Sequence, residues 1–167
     1  MAPLRFRWPA GLLVVAAVLA VDQGVKWLVL ETFYPGEVRP VLPFFNLVLV
    51  FNRGVSFGLF SGSRFETAWL LSGLAIAIVL GLLYWLRSEK RPLARFAIWL
   101  VIGGALGNVV DRLRYGMVVD FLDFYIKSYH WPAFNLADVA VVCGASALIW
   151  ESFVESRAQR GETGERT

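Results

Sequence analysis

The residues best suited to chemistry in this chain are acids in apolar surroundings. Asp120 lies in Val118-Val119-Asp120-Phe121, and Asp138 follows 18 residues later in Phe134-Asn135-Leu136-Ala137-Asp138. Two carboxylates that meet repel one another, and burial denies them water, so one holds a proton that the pair shares. The ionised member can then take a proton from water while the protonated member polarises a carbonyl. That is general acid–base peptide hydrolysis without a covalent intermediate. Each acid also has a plainer reading. Asn135 is a good helix N-cap, and an acid three residues on complements the helix dipole. Asp120, like Asp123, can be an ordinary solvated loop acid.

A second group of polar residues sits inside or at the edges of apolar runs. A charge at the centre of a membrane span costs at least about 2.5–3.5 kcal/mol, so each such residue is a functional candidate. In Gly107-Asn108-Val109-Val110-Asp111-Arg112 the polar residues fall at i, i+3 and i+4, on one helix face. On its own this reads as an Arg–Asp pair closing a helix end. Gly103 and Gly107 form a G-x-x-x-G spacing that lets another helix approach closely. Asp22 and Lys26, at i and i+4, read as a neutralised packing pair, with Asp22 more apt to order a polar network among helices.

Other candidates weaken on inspection. Gly54-Val55-Ser56-Phe57-Gly58 matches the G-x-S-x-G elbow of serine hydrolases, with His130 as the only available base. More strand-like sequence follows Ser56, however, and hairpin glycines explain the match. His130 lies in Tyr129-His130-Trp131-Pro132, where an amphipathic interfacial anchor is expected. Cys143, beside Gly144, reads as a small packing residue. Asp111, Asp120, Asp123 and Asp138 could in principle gather a hard cation, but no H-E-x-x-H motif is present, and neither metal nor cofactor is expected.

The elements that must position these residues are membrane helices. Of 167 residues, 57% are hydrophobic and only 17% charged, against about 25% charged in a soluble domain. That excludes a disordered chain and a collagen-like fibre, and argues against a soluble globule. One cysteine and one histidine exclude a disulfide scaffold and a multi-His metal centre. The net charge of +3 is dispersed and reflects membrane topology, with no nucleic-acid partner expected.

Four stretches, about 9–30, 67–86, 93–110 and 135–153, can each span a bilayer core of about 30 Å. Arg5 and Arg7 before the apolar run 11–21 resemble a secretory signal peptide. Apolar sequence resumes at 25–30, so a retained span is expected. The short link 87–95 holds four Lys or Arg and the link 31–66 only three, which puts the former, with both termini, in the cytoplasm. Links 31–66 and 111–134 then face outward. In the first, the apolar run 41–51, the turn Asn52-Arg53-Gly54 and the run 55–60 predict a β-hairpin lying on the membrane surface or against the helices. Ser63-Arg64-Phe65-Glu66 fits a capping box, and the tail 155–167 reads as polar and disordered. The expected fold is an all-α polytopic membrane protein of one domain, 1–154, with a small extracytoplasmic β-sheet or hairpin.

Taken together, the ordered motifs resemble the lipoprotein signal peptidase (signal peptidase II) family over about 11–153. They are Asp22-Gln23-Gly24-Val25-Lys26, Asn52-Arg53-Gly54-Val55-Ser56-Phe57-Gly58, Gly107-Asn108-Val109-Val110-Asp111-Arg112, Val119-Asp120-Phe121 and Phe134-Asn135-Leu136-Ala137-Asp138. Ser56 stands where many members have alanine. The resemblance implies a bacterial inner-membrane aspartic peptidase that cuts a prolipoprotein just before its diacylglyceryl-cysteine. It implies Asp120 and Asp138 as the catalytic pair, supported by Asp22, Lys26, Asn52, Gly54, Gly107, Asn108, Asp111, Arg112 and Asn135. The expected partners are that substrate and membrane lipid, and a monomer is expected. Rival readings are a four-span transporter with an acid relay and a serine intramembrane peptidase using Ser56 and His130. A relay should extend through the membrane, whereas these groups gather toward the outer ends of the spans.

Overall fold

The computed structural model describes residues 8–54 and 64–164. Four helices carry the chain: α1 (Trp8–Thr32), α2 (Arg64–Trp85), α3 (Pro92–Tyr115) and α4 (Leu136–Gly164). Each is long and apolar enough to cross a membrane. Their outward faces carry large apolar side chains such as Leu13, Trp27, Trp69, Leu74 and Ile149, as lipid-facing helices do. α1 begins at Trp8 and runs unbroken past Val25 to Thr32. α3 runs beyond 110 to Tyr115, so Asp111 and Arg112 are helical. Gly116, at φ 69°, then ends it with its N–H donating to Arg112 O at 3.0 Å, a left-handed cap that a side chain would strain. The polar tail does not leave the helix at Glu155, because α4 continues through it to Gly164.

α3 is the centre of the bundle and packs against α1, α2 and α4. Small residues make this possible. A Cβ on Gly104 would lie 2.2 Å from Ala137 O of α4, and one on Gly103 2.9 Å from Val18 Cβ of α1. Gly144 of α4 likewise lies where a Cβ would come within 2.6 Å of Ala97 O. Without a hydrophobic drive between helices in lipid, such backbone approach is what holds them together. Val15, Val79, Leu86, Ile98, Trp99 and Ile102 fill the interior beneath.

Four strands form one antiparallel sheet in the order β1 (Val38–Leu42), β2 (Phe45–Asn52), β3 (Val118–Ile126), β4 (Tyr129–His130). The sheet differs from the expected hairpin, because β2 lies between β1 and β3. The run 41–51 is not one strand but turns at Pro43-Phe44, since proline has no N–H to give a ladder. β2 pairs with β1 on one side and on the other with β3, from the second outer link, which reads as a loop in the sequence because Asp120 and Asp123 interrupt its apolar pattern. The run 55–60, with Ser56, and Ser63 lie outside the described residues. β2 advances three residues from Leu47 to Val50 while β3 advances two, from Leu122 to Asp120, so a bulge lies beside Asp120. Val29, Leu49, Val119 and Phe121 seat the sheet on the end of α1.

Candidate active site

The site forms where the end of α1, the last turns of α3, strands β2 and β3 and the start of α4 converge. Lys26 is its anchor. Its ammonium lies 2.8 Å from Asp22 Oδ2 and 2.7 Å from Asp111 Oδ2, with all three side chains at most 2% exposed. It therefore joins α1 to α3 as well as neutralising Asp22. A buried cation needs such pairing, because its desolvation is otherwise uncompensated. Each carboxylate has a further duty. Asp22 Oδ1 accepts from Ala137 N at 2.9 Å, holding the start of α4, and Asp111 Oδ2 accepts from Val119 N at 3.1 Å, holding β3. Gly107 leaves room for this, since a Cβ there would lie 2.9 Å from Asp22 Oδ2.

Asparagines carry the order outward. Lys26 Nζ donates to Asn108 Oδ1 at 3.4 Å, which turns the Asn108 amide so that Nδ2 donates to Asp138 Oδ1 at 2.8 Å. Asn135 Nδ2 also reaches Asn108 Oδ1, at 3.1 Å. Asn135 caps α4 reciprocally with Asp138: Asp138 N donates to Asn135 Oδ1 at 2.9 Å, and Asn135 N to Asp138 Oδ2 at 3.2 Å. The capping role read in the sequence and the contact with the site thus belong to the same two residues. Asn135 Nδ2 donates to Asp120 Oδ1 at 2.8 Å, and from the other side Asn52 Nδ2 donates to Asp120 Oδ2 at 2.8 Å. The Asn52 amide is itself aimed by Gly54, whose N–H donates to Asn52 Oδ1 at 2.7 Å at φ 79°. A Cβ on Gly54 would meet Leu71 of α2 at 2.5 Å and Arg112 Nη2 at 3.5 Å. The Arg112 charge acts on Asp138, Asp111 and Asp120.

Asp120 is 1% exposed, and that burial pushes its carboxyl up to about 6. The hydrogen bond from Asn52 opposes the rise and the charge of Asp138 adds to it. A carboxyl so placed exchanges a proton near neutrality, as an acid–base catalyst must.

The structure thus brings Asp22, Lys26, Asn52, Gly54, Gly107, Asn108, Asp111, Arg112, Asn135, Asp120 and Asp138 into one region. It adds Gln23, which donates to Asp111 Oδ1 at 2.8 Å and to Asp22 Oδ2 at 3.2 Å. Its place beside Asp22 in the first motif was the available signal. Two expectations change. Asp123 is not a solvated loop acid: it is buried and accepts from Asn46 Nδ2 at 2.7 Å, because β3 carries it against β2. His130 is half exposed, but its Nδ1 rests 2.9 Å from Asp123 Oδ1, so it is more than an interfacial anchor. Among the described residues no group of three or more His, Cys, Asp or Glu is arranged to hold a metal.

Four spanning helices under a small sheet, with a polar network buried at one end, define a polytopic membrane protein with a candidate acid–base site. The model of the family described as signal peptidase (SPase) II matches residues 14–154, and the chain belongs to that family of peptidases. A lipoprotein signal peptidase of Cupriavidus necator is 49% identical over 135 residues, covering 79% of this chain and 76% of that protein. One from Azoarcus sp. is 49% identical over 142 residues, covering 83% and 80%. A bacterial membrane enzyme structure determined by the in meso method at 1.9 Å superimposes with a TM-score of 0.79 at 30% identity, covering 88% of this chain and 94% of that one. The chain is accordingly a multi-pass membrane protein of the signal peptidase II family.

Proposed function

We propose that the chain is an aspartic endopeptidase that removes the signal peptide from diacylglyceryl-modified bacterial prolipoproteins, cutting just before the lipid-bearing cysteine, with Asp120 and Asp138 as the catalytic pair. One observation carries the reading. Asn135 bonds both carboxylates, Asp120 through its amide at 2.8 Å and Asp138 through its backbone N–H at 3.2 Å, so the two acids share a frame. Neither Asp120 nor Asp138 has an ion-pair partner among the described residues, whereas Asp22 and Asp111 are committed to Lys26.

The chemistry follows from the pair. Buried Asp120, pushed up to about 6, holds the shared proton, and Asp138, on the N-terminal turn of α4, is the base of the pair. Asp138 takes a proton from water as the water oxygen attacks the scissile carbonyl carbon. Asp120 gives its proton to the carbonyl oxygen. The tetrahedral intermediate collapses as its hydroxyl proton returns to Asp120 and the proton on Asp138 passes to the leaving amine, restoring the pair. Asn52, Asn108 and Arg112 hold the carboxylates and the scissile peptide, while Asp22, Lys26 and Asp111 hold the elements. The substrate's signal helix and lipid lie in the bilayer, where burial at about 0.8 kcal/mol per CH₂ keeps them at the depth of the site. The exposed Val38, Val41, Leu42, Phe44 and Phe124 of the sheet region support its resting on the membrane surface. We place the protein in the inner membrane, as a monomer, with the site toward the outer face.

Cleavage of a diacylglyceryl-modified prolipoprotein by purified protein tests the reading. Asp120→Asn and Asp138→Asn should each lower kcat by about 10²–10⁴-fold while remaining folded, and Ser56→Ala should stay near wild type. Near-normal activity in either Asn variant would remove the aspartic mechanism. A large loss in folded Ser56→Ala would favour the serine alternative.

A further inference from the structure

Asp120 and Asp138 stand on the two arms of one connection. Asp120 is on β3, and the chain turns at Lys127-Ser128, returns through β4 and Pro132, and enters α4 beyond Phe134. This return arm pairs with β3 over a short stretch. β4 has two residues, and Lys127 at the turn adopts φ 58°, a left-handed conformation that a non-glycine residue resists. Beyond β4, pairing continues through Trp131 N to Phe124 O at 2.8 Å and the isolated bridge between Leu122 and Phe134. The bridge matters for the site, because Phe134 O accepts from Phe121 N and Leu122 N, and Asn135 follows at once.

A side-chain clamp spans the same stretch. His130 Nδ1 lies 2.9 and 3.0 Å from the two oxygens of Asp123, and its ring stacks on Tyr125 at 5.0 Å. Asn46 Nδ2 fixes the same carboxylate at 2.7 Å, and Asn46 is the register partner of Asp123 on β2, the strand that ends in Asn52. One buried carboxylate therefore ties together the strand bearing Asn52, the strand bearing Asp120 and the arm leading to Asn135 and Asp138. We propose that His130, acting through Asp123, is a positioning residue that holds the return arm on β3 and so sets the separation of the two catalytic carboxylates. The proposal rests on the aspartic reading above.

The test compares His130→Ala, His130→Asn and Asp123→Ala in the full-length protein. Asn places an amide N–H where the imidazole Nδ1 stands, so it should restore what Ala removes. His130→Ala should lower kcat by about ten-fold or more, since small misplacements of catalytic groups are costly, with KM within about two-fold because lipid and signal helix bind elsewhere. Hydrogen exchange over residues 121–134 should quicken in the Ala variant and return toward wild type in the Asn variant. Adding His130→Ala to Asp123→Ala should cause no further loss. Unchanged kcat, a change in KM alone, or failure of Asn to rescue would overturn the clamp. Loss of the aspartic reading is seen separately, as activity persisting in Asp120→Asn, and the exchange measurement still reports on the clamp in that case.

Discussion

At the scale of single residues, the site is an arrangement of amides that can each face only one way. Asn52 accepts from Gly54 N and so must turn its NH₂ to Asp120, and Asn108 accepts from Lys26 and so must turn its NH₂ to Asp138. Removing one donor shifts the pair in a known direction. Asn52 donates to Asp120 and favours its ionised form, so Asn52→Ala lifts the carboxyl further above its present value of about 6. The alkaline limb of the pH–rate profile should then move to higher pH, with kcat lowered about ten-fold through lost orientation. An unmoved limb would show that Asp120 does not set it. The same group makes stability depend on pH. Its folded carboxyl binds protons more tightly than the ordinary value of 3.8, so its contribution is fully present below about 3.8 and is lost as pH rises through about 6. The residues themselves were legible early, as acids and asparagines where a membrane protein should have none. Their pairing was not, because a hydrogen bond across 68 positions, as between Asn52 and Asp120, leaves no spacing to read.

At the scale of elements, α3 determines the geometry, because α1 and α4 both lie against its backbone. Gly104 is the tightest approach to a neighbour's backbone, where any side chain meets Ala137 O rather than a yielding side-chain tip. Gly104→Leu should therefore push α4 off α3 and cost about 1–3 kcal/mol of stability. Because Asn108 and Asp138 ride on the two separated helices, activity should fall further than stability does. Gly24→Ala, where nothing lies within 4 Å of the new Cβ, should leave both unchanged. Thermal unfolding in detergent beside the cleavage assay measures the two effects, and equal responses would mean that Gly104 has no packing role. The helices were readable because about 20 apolar residues in a row have few alternatives to spanning a bilayer. The sheet was not, because β2 pairs with a strand 66 or more positions away and the acids within that strand mask its apolar run.

At the scale of the molecule, charge and apolar surface separate along the helix axes. The buried carboxylates and asparagines gather at one end, and at the other Arg91 pairs with Glu89 at 2.8 Å and with Glu155 at 2.5 Å, tying the α2–α3 link to α4. Under the proposed orientation that basic link faces the cytoplasm. A cysteine placed at Ser88 in a Cys143→Ser background should label with an impermeant thiol reagent only after cells are opened, and one placed at Glu37 should label before. The reverse pattern would invert the topology. The sequence by itself determined the class: composition made this a membrane protein, run length set four spans, and the ordered motifs pointed to the peptidase family. Those properties are local or additive along the chain, so no folding need be known to read them. Tertiary structure alone decided that Lys26 bridges two helices, that β3 completes the sheet, that Asp123 is buried under His130, and that Asn135 touches both acids. Each of these depends on which distant segments pack together, and a buried polar group finds its partner only once that packing has removed the water.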